Sequence, residues 1–288
     1  MAVSPITVGI NVLMLGALYA LIAVGFTLIF GVGGILNLAH GAFLTIGGYI
    51  AFYIVDAGQN VALAIPIAAV VAGVAGVALY KGILKKVSDN PVSVLILSLV
   101  AGLLVEQVFL ILEGGEPKVL PGIVEGSLAL GGASVQSNRL LVFIASWVVI
   151  GALFYFVNRT KTGQAILATS MSRKGAAIVG IDADRVFTLT WILAAALAGI
   201  AGVFLATFQS VNPLMGRNPL LLSFSIVVLG GLGSIRGSIV GAYVISFLDQ
   251  ITVQYIDSQL AGVSGLIVLV AVLILRPEGL FGRELTEG

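Results

Sequence analysis

From Ile6 to Val55 the sequence is apolar except at one stretch, GVGGILNLAHGAF (31–43), which gathers four glycines, an asparagine and the only histidine of the chain. Such a run cannot form a water-facing surface. A helix crosses a bilayer with about 20 apolar residues, so the run predicts two spans separated by the glycine-rich break. The pattern then repeats. Apolar segments near 6–30, 36–55, 61–80, 92–112, 140–157, 187–208, 219–234, 239–256 and 260–276 predict an all-α, polytopic membrane protein with eight to nine transmembrane helices in one domain over 1–288. Charged residues make up 9% of the chain, well below the roughly 25% of soluble domains, so most of the exterior faces lipid. The N-terminus has no basic leader, and its apolar stretch exceeds the about 7–15 residues of a signal-peptide core. It is therefore read as a retained span.

Lysine and arginine in short loops orient the spans. Lys81, Lys85 and Lys86 mark one cytoplasmic loop, and Arg159, Lys161, Arg173, Lys174 and Arg185 mark another over 158–186. Residues 113–139, with Glu113, Glu116 and Glu125, are placed outside, and their LALGGASVQ portion reads as a small hairpin. Counting spans puts the N-terminus outside and the tail, with Arg276 and Arg283, in the cytoplasm.

Gly31, Gly33, Gly34 and Gly41 are expected to break the helix at or below the cytoplasmic half of the membrane. Freed backbone groups are tolerated there only inside protein or beside a water-filled cavity. Asn37, His40 and Thr45 then either line a pathway or satisfy those groups, and a tight turn capped by Asn37 and His40 is the plainer alternative. The later stretch LGGLGSIRGSIVGAYVISF (229–247) has breaks at Gly231, Gly233 and Gly237, with Arg236-Gly237 standing where the first has His40-Gly41. Both breaks fall on one membrane side in this topology. They indicate either a parallel internal repeat or chance likeness among glycine-rich helices.

Ionisable residues in apolar spans are functional candidates. Asp249, with Gln250, is the deepest and is read as part of a translocation pathway or as a helix–helix contact. Glu106 and Asp257 are placed nearer the outer interface. Gly73, Gly76, Gly199, Gly202 and Ala195 read as close-packing positions, Pro66 as a kink, and Asn212, Pro213, Arg217, Asn218 and Pro219 as an outer loop.

Between Gln164 and Val179 a cytoplasmic helix is expected, ended by Gly180, with Ile166, Leu167, Met171 and Ile178 as an incomplete apolar stripe. A helix of that kind either docks in a partner's groove or lies on the membrane. The chain lacks G-x-x-x-x-G-K-[ST], so ATP would be bound by another subunit. It also lacks cysteine, H-E-x-x-H and basic runs, so no catalytic residue, metal, cofactor or nucleic acid is assigned to it.

GALYALIAVGFTLIFGVGGILNLAHGAFLTIGGYIA, KTGQAILATS with GAAIVGIDADRV, VVLGGLGSIRGSIVGA and the terminal LRPEGLFG together resemble the permease subunits of branched-chain amino acid ABC importers, and the length is similar to the shorter of the two permeases such systems pair. The resemblance implies a multi-pass protein of a prokaryotic inner membrane. It implies a second permease, two ATPase subunits and an external substrate-binding protein as partners, and leucine, isoleucine and valine as substrates; relatives moving urea or short amides are the nearest variant. It also implies that Gly163, Gln164, Ile166, Met171, Arg173, Lys174, Ala177 and Gly180 belong to the segment that couples to an ATPase. Weak substrate holding fits the lack of any convergent charge cluster visible in the sequence. An ion-coupled secondary transporter using Asp249 or Glu106 is the competing reading.

Overall fold

The computed structural model describes residues 5–130, 133–276 and 278–281. Arg283 and the Gly131-Gly132 turn lie outside the described residues. Eleven α-helices follow in chain order: α1 (Pro5–Gly33), α2 (His40–Asp56), α3 (Ala64–Gly82), α4 (Pro91–Glu113), α5 (Ser137–Arg159), α6 (Lys161–Met171), α7 (Arg173–Ile178), α8 (Ala183–Ala206), α9 (Arg217–Gly230), α10 (Ile235–Ile251) and α11 (Val263–Leu275). The expected hairpin is present between α4 and α5, where β1 (Ser127–Leu130) pairs antiparallel with β2 (Ala133–Gln136).

Helices α1 and α8 form the centre of the bundle. Both are largely buried beyond their first turns, and glycine lets their neighbours approach closely. A side chain at Gly199 would collide with the Ala68 carbonyl of α3 and one at Gly202 with the Leu44 carbonyl of α2, while Gly76 faces Ala195. The close-packing positions read from the sequence thus hold α2, α3 and α8 together, as expected where helices associate by backbone proximity. On the other flank α10 runs antiparallel to α1, with Thr27 and Ser238 sharing a hydroxyl hydrogen bond of 2.5 Å and Ser246 donating to the Val12 carbonyl at 3.0 Å.

Apart from Glu106, Arg217 and Asp249, most charged residues lie at the two ends of the bundle. Lys85, on the turn after α3, pairs with Asp184 at the start of α8, and Arg173 reaches the end of α1, which defines a basic end. Asp56, Glu113, Lys118 and the hairpin lie at the opposite, acidic end, where Tyr53 donates to Glu113.

Of the nine expected spans, six are helical segments long and apolar enough to cross a membrane: Pro5–Gly33, Val61–Val87, Pro91–Glu113, Ser137–Arg159, Ala183–Ala206 and Ile235–Ile256. The other three, α2, α9 and α11, have 17, 14 and 13 residues. At 1.5 Å per residue they reach about 20–25 Å, short of the roughly 30 Å hydrocarbon core. Pro66 sits in the first turn of α3, after a 3-10 turn at Val61–Leu63, and does not kink a span.

The breaks also differ from expectation. Gly31 and Gly33 are helical, and the chain leaves α1 only at Gly34, with φ +63°. Gly41 and Gly237 lie within the first turns of α2 and α10, where the neighbouring backbone comes too close for a side chain. Gly231 (φ +98°) and Gly233 (φ +82°) do break the chain between α9 and α10, in a backbone region that favours glycine.

Candidate functional site

After Gly34 the chain does not begin its next helix at the basic end. It runs back along α1 and α4 before α2 starts at His40. Leu38 N–H donates to Ser98 Oγ at 3.1 Å, and Gly102 lies against Leu38 and Ala39; both Ser98 and Gly102 are in the middle of α4. His40 Nε2 stands 3.1 Å from the Ile22 carbonyl in the middle of α1. A carbonyl only accepts, so this nitrogen carries the proton. The N-terminus of α2 therefore lies deep in the bundle, well above the level the sequence suggested.

Helix α9 starts at the same depth. The segment after α8 pairs with the acidic-end loop through reciprocal bonds between Lys118 and Val211, then descends along α2, with Met215 against Gly48 and Gly216 against Gly41. Arg217 opens α9 there, so the expectation of a solvated outer loop at Arg217–Pro219 is corrected: all three belong to the first turn of a buried-start helix. From this meeting point α2 runs to the acidic end and α9 to the basic end, so their positive dipole ends meet. The two starts at 40 and 217 are thus at matching depth, whereas the supposed repeat partner, α10, starts at the basic end. The pairing of His40-Gly41 with Arg236-Gly237 is not mirrored in depth.

Side chains cap the helices that start near the basic end: Asn90 for α4, Thr160 for α6, Ser172 for α7, Asp182 for α8 and Ser234 for α10. Neither α2, with Ala39 at its N-cap, nor α9, with Gly216, has a side-chain cap. Their first turns carry no acidic residue either, and α9 adds the cation of Arg217. The two helix starts bring positive partial charge to the junction and Arg217 a full one.

Glu106 on α4 answers that charge. Arg217 Nε and Nη2 reach its Oε2 at 3.0 and 2.6 Å, with Nε also 3.1 Å from Oε1. Glu106 is 14% exposed and Arg217 52%. The pair lines a cavity of about 300 Å³, completed by Leu38, Gly41, Leu99, Leu103, Leu220 and Leu221. Sequence reasoning placed both residues near the outer interface and found no convergent charges. The fold makes them converge. The available signal was that each is the only charged residue within its own apolar segment, from Pro91 to Leu112 and from Arg217 to Gly230.

The residues expected to line the pathway sit behind the cavity wall. Asn37 Oδ1 accepts from Ala39 N–H at 3.0 Å, Thr45 donates to the Gly41 carbonyl at 3.2 Å, and His40 packs edge-to-face on Phe26 at 5.5 Å. All three are buried; Asn37 and Thr45 bond backbone at the α2 start, while His40 ties that start to the Ile22 carbonyl of α1. Asp249 accepts from Gly262 N–H at 2.6 Å and lies 3.4 Å from Ser264 Oγ, which fixes the entry to α11. Gln250 is buried beside it. That matches a helix contact, and the structure does not bring the pair to the cavity.

At the basic end the expected single helix is two, because Ser172 is extended (φ −160°, ψ 113°) and caps α7 through Gly175 N–H at 3.0 Å. Gly180, at φ +81°, ends the segment as expected. Gly163 is buried against Phe156 and Val157, and Ile166 packs with Val32 and Val186. These two hold the segment to the bundle. Gln164, Met171, Lys174, Ala177 and Ile178 are exposed, with Met171 at 64% and Ile178 at 85%. Arg173 is engaged within the chain: it donates to the Gly33 carbonyl at 2.7 Å and its guanidinium lies 4.7 Å from the Phe187 ring centroid.

Comparison with known proteins agrees with this architecture. The family described as "Branched-chain amino acid transport system / permease component" matches residues 9–275. The chain is 30% identical to the high-affinity branched-chain amino acid transport system permease protein LivH of Escherichia coli (strain K12), covering 96% of this chain and 95% of LivH. It is 28% identical to the corresponding permease BraD of Pseudomonas aeruginosa, covering 96% of each. Among solved structures, PsaBC from Streptococcus pneumoniae, determined in complex with Fab, superposes with a TM-score of 0.51 at 14% identity over 93% of this chain and 91% of that one, a likeness of fold. An all-α membrane bundle with this match along nearly its whole length is a member of the branched-chain amino acid transport system permease family.

Proposed function

We propose that this chain is the membrane-spanning permease subunit of an ATP-driven importer of branched-chain amino acids, working with a second permease, two ATPase subunits and an external substrate-binding protein. The observation that carries the ATP-driven part is the α6–α7 segment. It stands at the basic end and, among the described residues, leaves Met171, Ile178 and Val179 exposed beside Lys174. An apolar ridge flanked by charge on a short helix pair suits docking into another protein's groove. With basic loops on the cytoplasmic side, the ridge faces the compartment that holds ATP, the C-terminal end of α11 lies on that side and the N-terminus lies outside.

Movement of the docked segment reaches the membrane through two contacts. Gly163 is pressed on the end of α5, and Arg173 grips the end of α1. The second of these touches α1, whose Ile22 carbonyl holds His40 at the α2 start. Alternating access then consists of rocking these elements around the junction of α2 and α9. The ion-coupled alternative would use Asp249 or Glu106; the hydrogen bond from Gly262 N–H to Asp249 supports a helix contact for the first of these.

Purification of the tagged protein in mild detergent tests the reading. Recovery of ATPase subunits and a second permease, and leucine uptake by the complex in liposomes that depends on ATP, is the expected result. A chain that purifies alone and imports under an ion gradient without ATP would overturn it.

A further inference from the structure

We infer that Glu106 and Arg217 hold the charged head of the passing amino acid, Arg217 and the bare starts of α2 and α9 taking its carboxylate and Glu106 its ammonium, while Leu99, Leu103, Leu220 and Leu221 surround its aliphatic side chain. The inference rests on the substrate class proposed above and assigns the site within that reading.

Four observations lead to it. Glu106 lies seven residues before Glu113, so about 10 Å inside the acidic end of an apolar helix. A charge at that depth does not face lipid without a large cost. Yet Arg217 is 52% exposed, so this chain leaves its guanidinium open on the cavity side, which must face water or the partner permease. The cavity, at about 300 Å³, meets the lower end of the range of small-ligand sites. Its lining combines the ion pair and the two helix starts with leucines one or two turns away on the same helices, Leu99 and Leu103 on α4 and Leu220 and Leu221 on α9. Finally, Nε and Nη2 of Arg217 converge on one carboxylate oxygen, Glu106 Oε2, so the guanidinium edge already receives a carboxylate in the way a substrate carboxylate would be received.

The closed pair also explains weak holding. With the cavity empty, Arg217 and Glu106 neutralise each other. Entry of a zwitterion exchanges one ion pair inside the protein for two with the ligand, so little net free energy is gained and release is not impeded. A neutral urea or amide offers no such exchange.

The test uses the full complex in proteoliposomes with saturating loaded binding protein. Glu106→Gln and Arg217→Gln should each lower leucine uptake by about tenfold or more, since each removes a charge-assisted contact, while co-purification with the ATPases stays intact and ATP hydrolysed per leucine imported rises. The swap Glu106→Arg with Arg217→Glu restores an ion pair but sets a carboxylate on the positive helix starts, and it should stay inactive. Leu103→Phe narrows the apolar lining without touching the charges, and it should favour valine over leucine by about tenfold or more, the scale of a methylene-sized change in an apolar pocket. Recovery of uptake by the swap would show a purely structural bridge and overturn the site. So would wild-type uptake in both Gln variants with unchanged selectivity in Leu103→Phe. A wild-type complex that imports no amino acid would instead overturn the substrate reading, and the site with it.

Discussion

Arg173 on α7 donates to the Gly33 carbonyl on the last turn of α1 at 2.7 Å, across 140 residues of sequence. The tie joins the exposed segment at the basic end to the residue before Gly34, where the chain turns toward the buried start of α2. Arg173→Ala should therefore uncouple the complex. ATP hydrolysis and ATPase co-purification persist while uptake falls by about tenfold, the scale of a lost charge-to-carbonyl hydrogen bond together with a cation–π contact. Uptake at the wild-type rate would show the tie to be passive.

Docking is tested separately on residues whose side chains are largely exposed, Met171 and Ile178. Met171→Asp and Ile178→Asp each place a charge in the exposed ridge. Recovery of ATPase with the tagged permease should drop by about tenfold or more for either, since a buried unpaired charge in an interface costs several kcal/mol. Thermal stability of the isolated permease should not change.

Gly180 supplies a third test, because its φ of +81° is strained for any other residue. Gly180→Ala should weaken the segment by about 1–2 kcal/mol. Gly180→Pro should be worse, as it cannot reach that angle and deletes the N–H bonded to the Ala177 carbonyl at 3.0 Å. Protease susceptibility at 172–181 in membranes would report both, with the order wild type, Ala, Pro.

The meeting of α2 and α9 depends on the absence of side chains. A methyl at Gly216 would overlap the Gly41 carbonyl and come within 2.9 Å of Thr45 Oγ1. Gly216→Ala should lower stability by about 1–3 kcal/mol through overpacking, measured by thermal unfolding in detergent. Gly9→Ala is the control, with nothing within 4 Å of the added atom, and should cost nothing.

Asp249 separates a helix contact from a transport role. Asp249→Ala leaves the Gly262 N–H without its acceptor and should lose about 1–3 kcal/mol. Asp249→Asn keeps an accepting oxygen and should retain both stability and uptake. Loss of uptake in a stable Asn variant would return the ion-coupled reading.

Much of the chain was legible before any coordinates. Apolar length located the six full-length spans, Gly131-Gly132 flanked by alternating residues located the hairpin, and Gly180 ended the α6–α7 segment because a helix stop is written in neighbouring residues. The break at Ser172 was missed: a serine among helix formers reads as helix, and only its capping bond to Gly175 N–H shows two helices. Depth was illegible for a different reason. A helix that begins inside a membrane bundle is as apolar as one that begins at its surface, so the residues around His40 and Arg217 carry no local mark of level. Sequence by itself determined what kind of solvent surrounds this protein and where its helices run, because hydropathy and turn chemistry act over a few residues. Tertiary structure alone decided that α2 and α9 start face to face and that Glu106 meets Arg217 across 111 residues, because such contacts depend on packing, which no window along the chain contains.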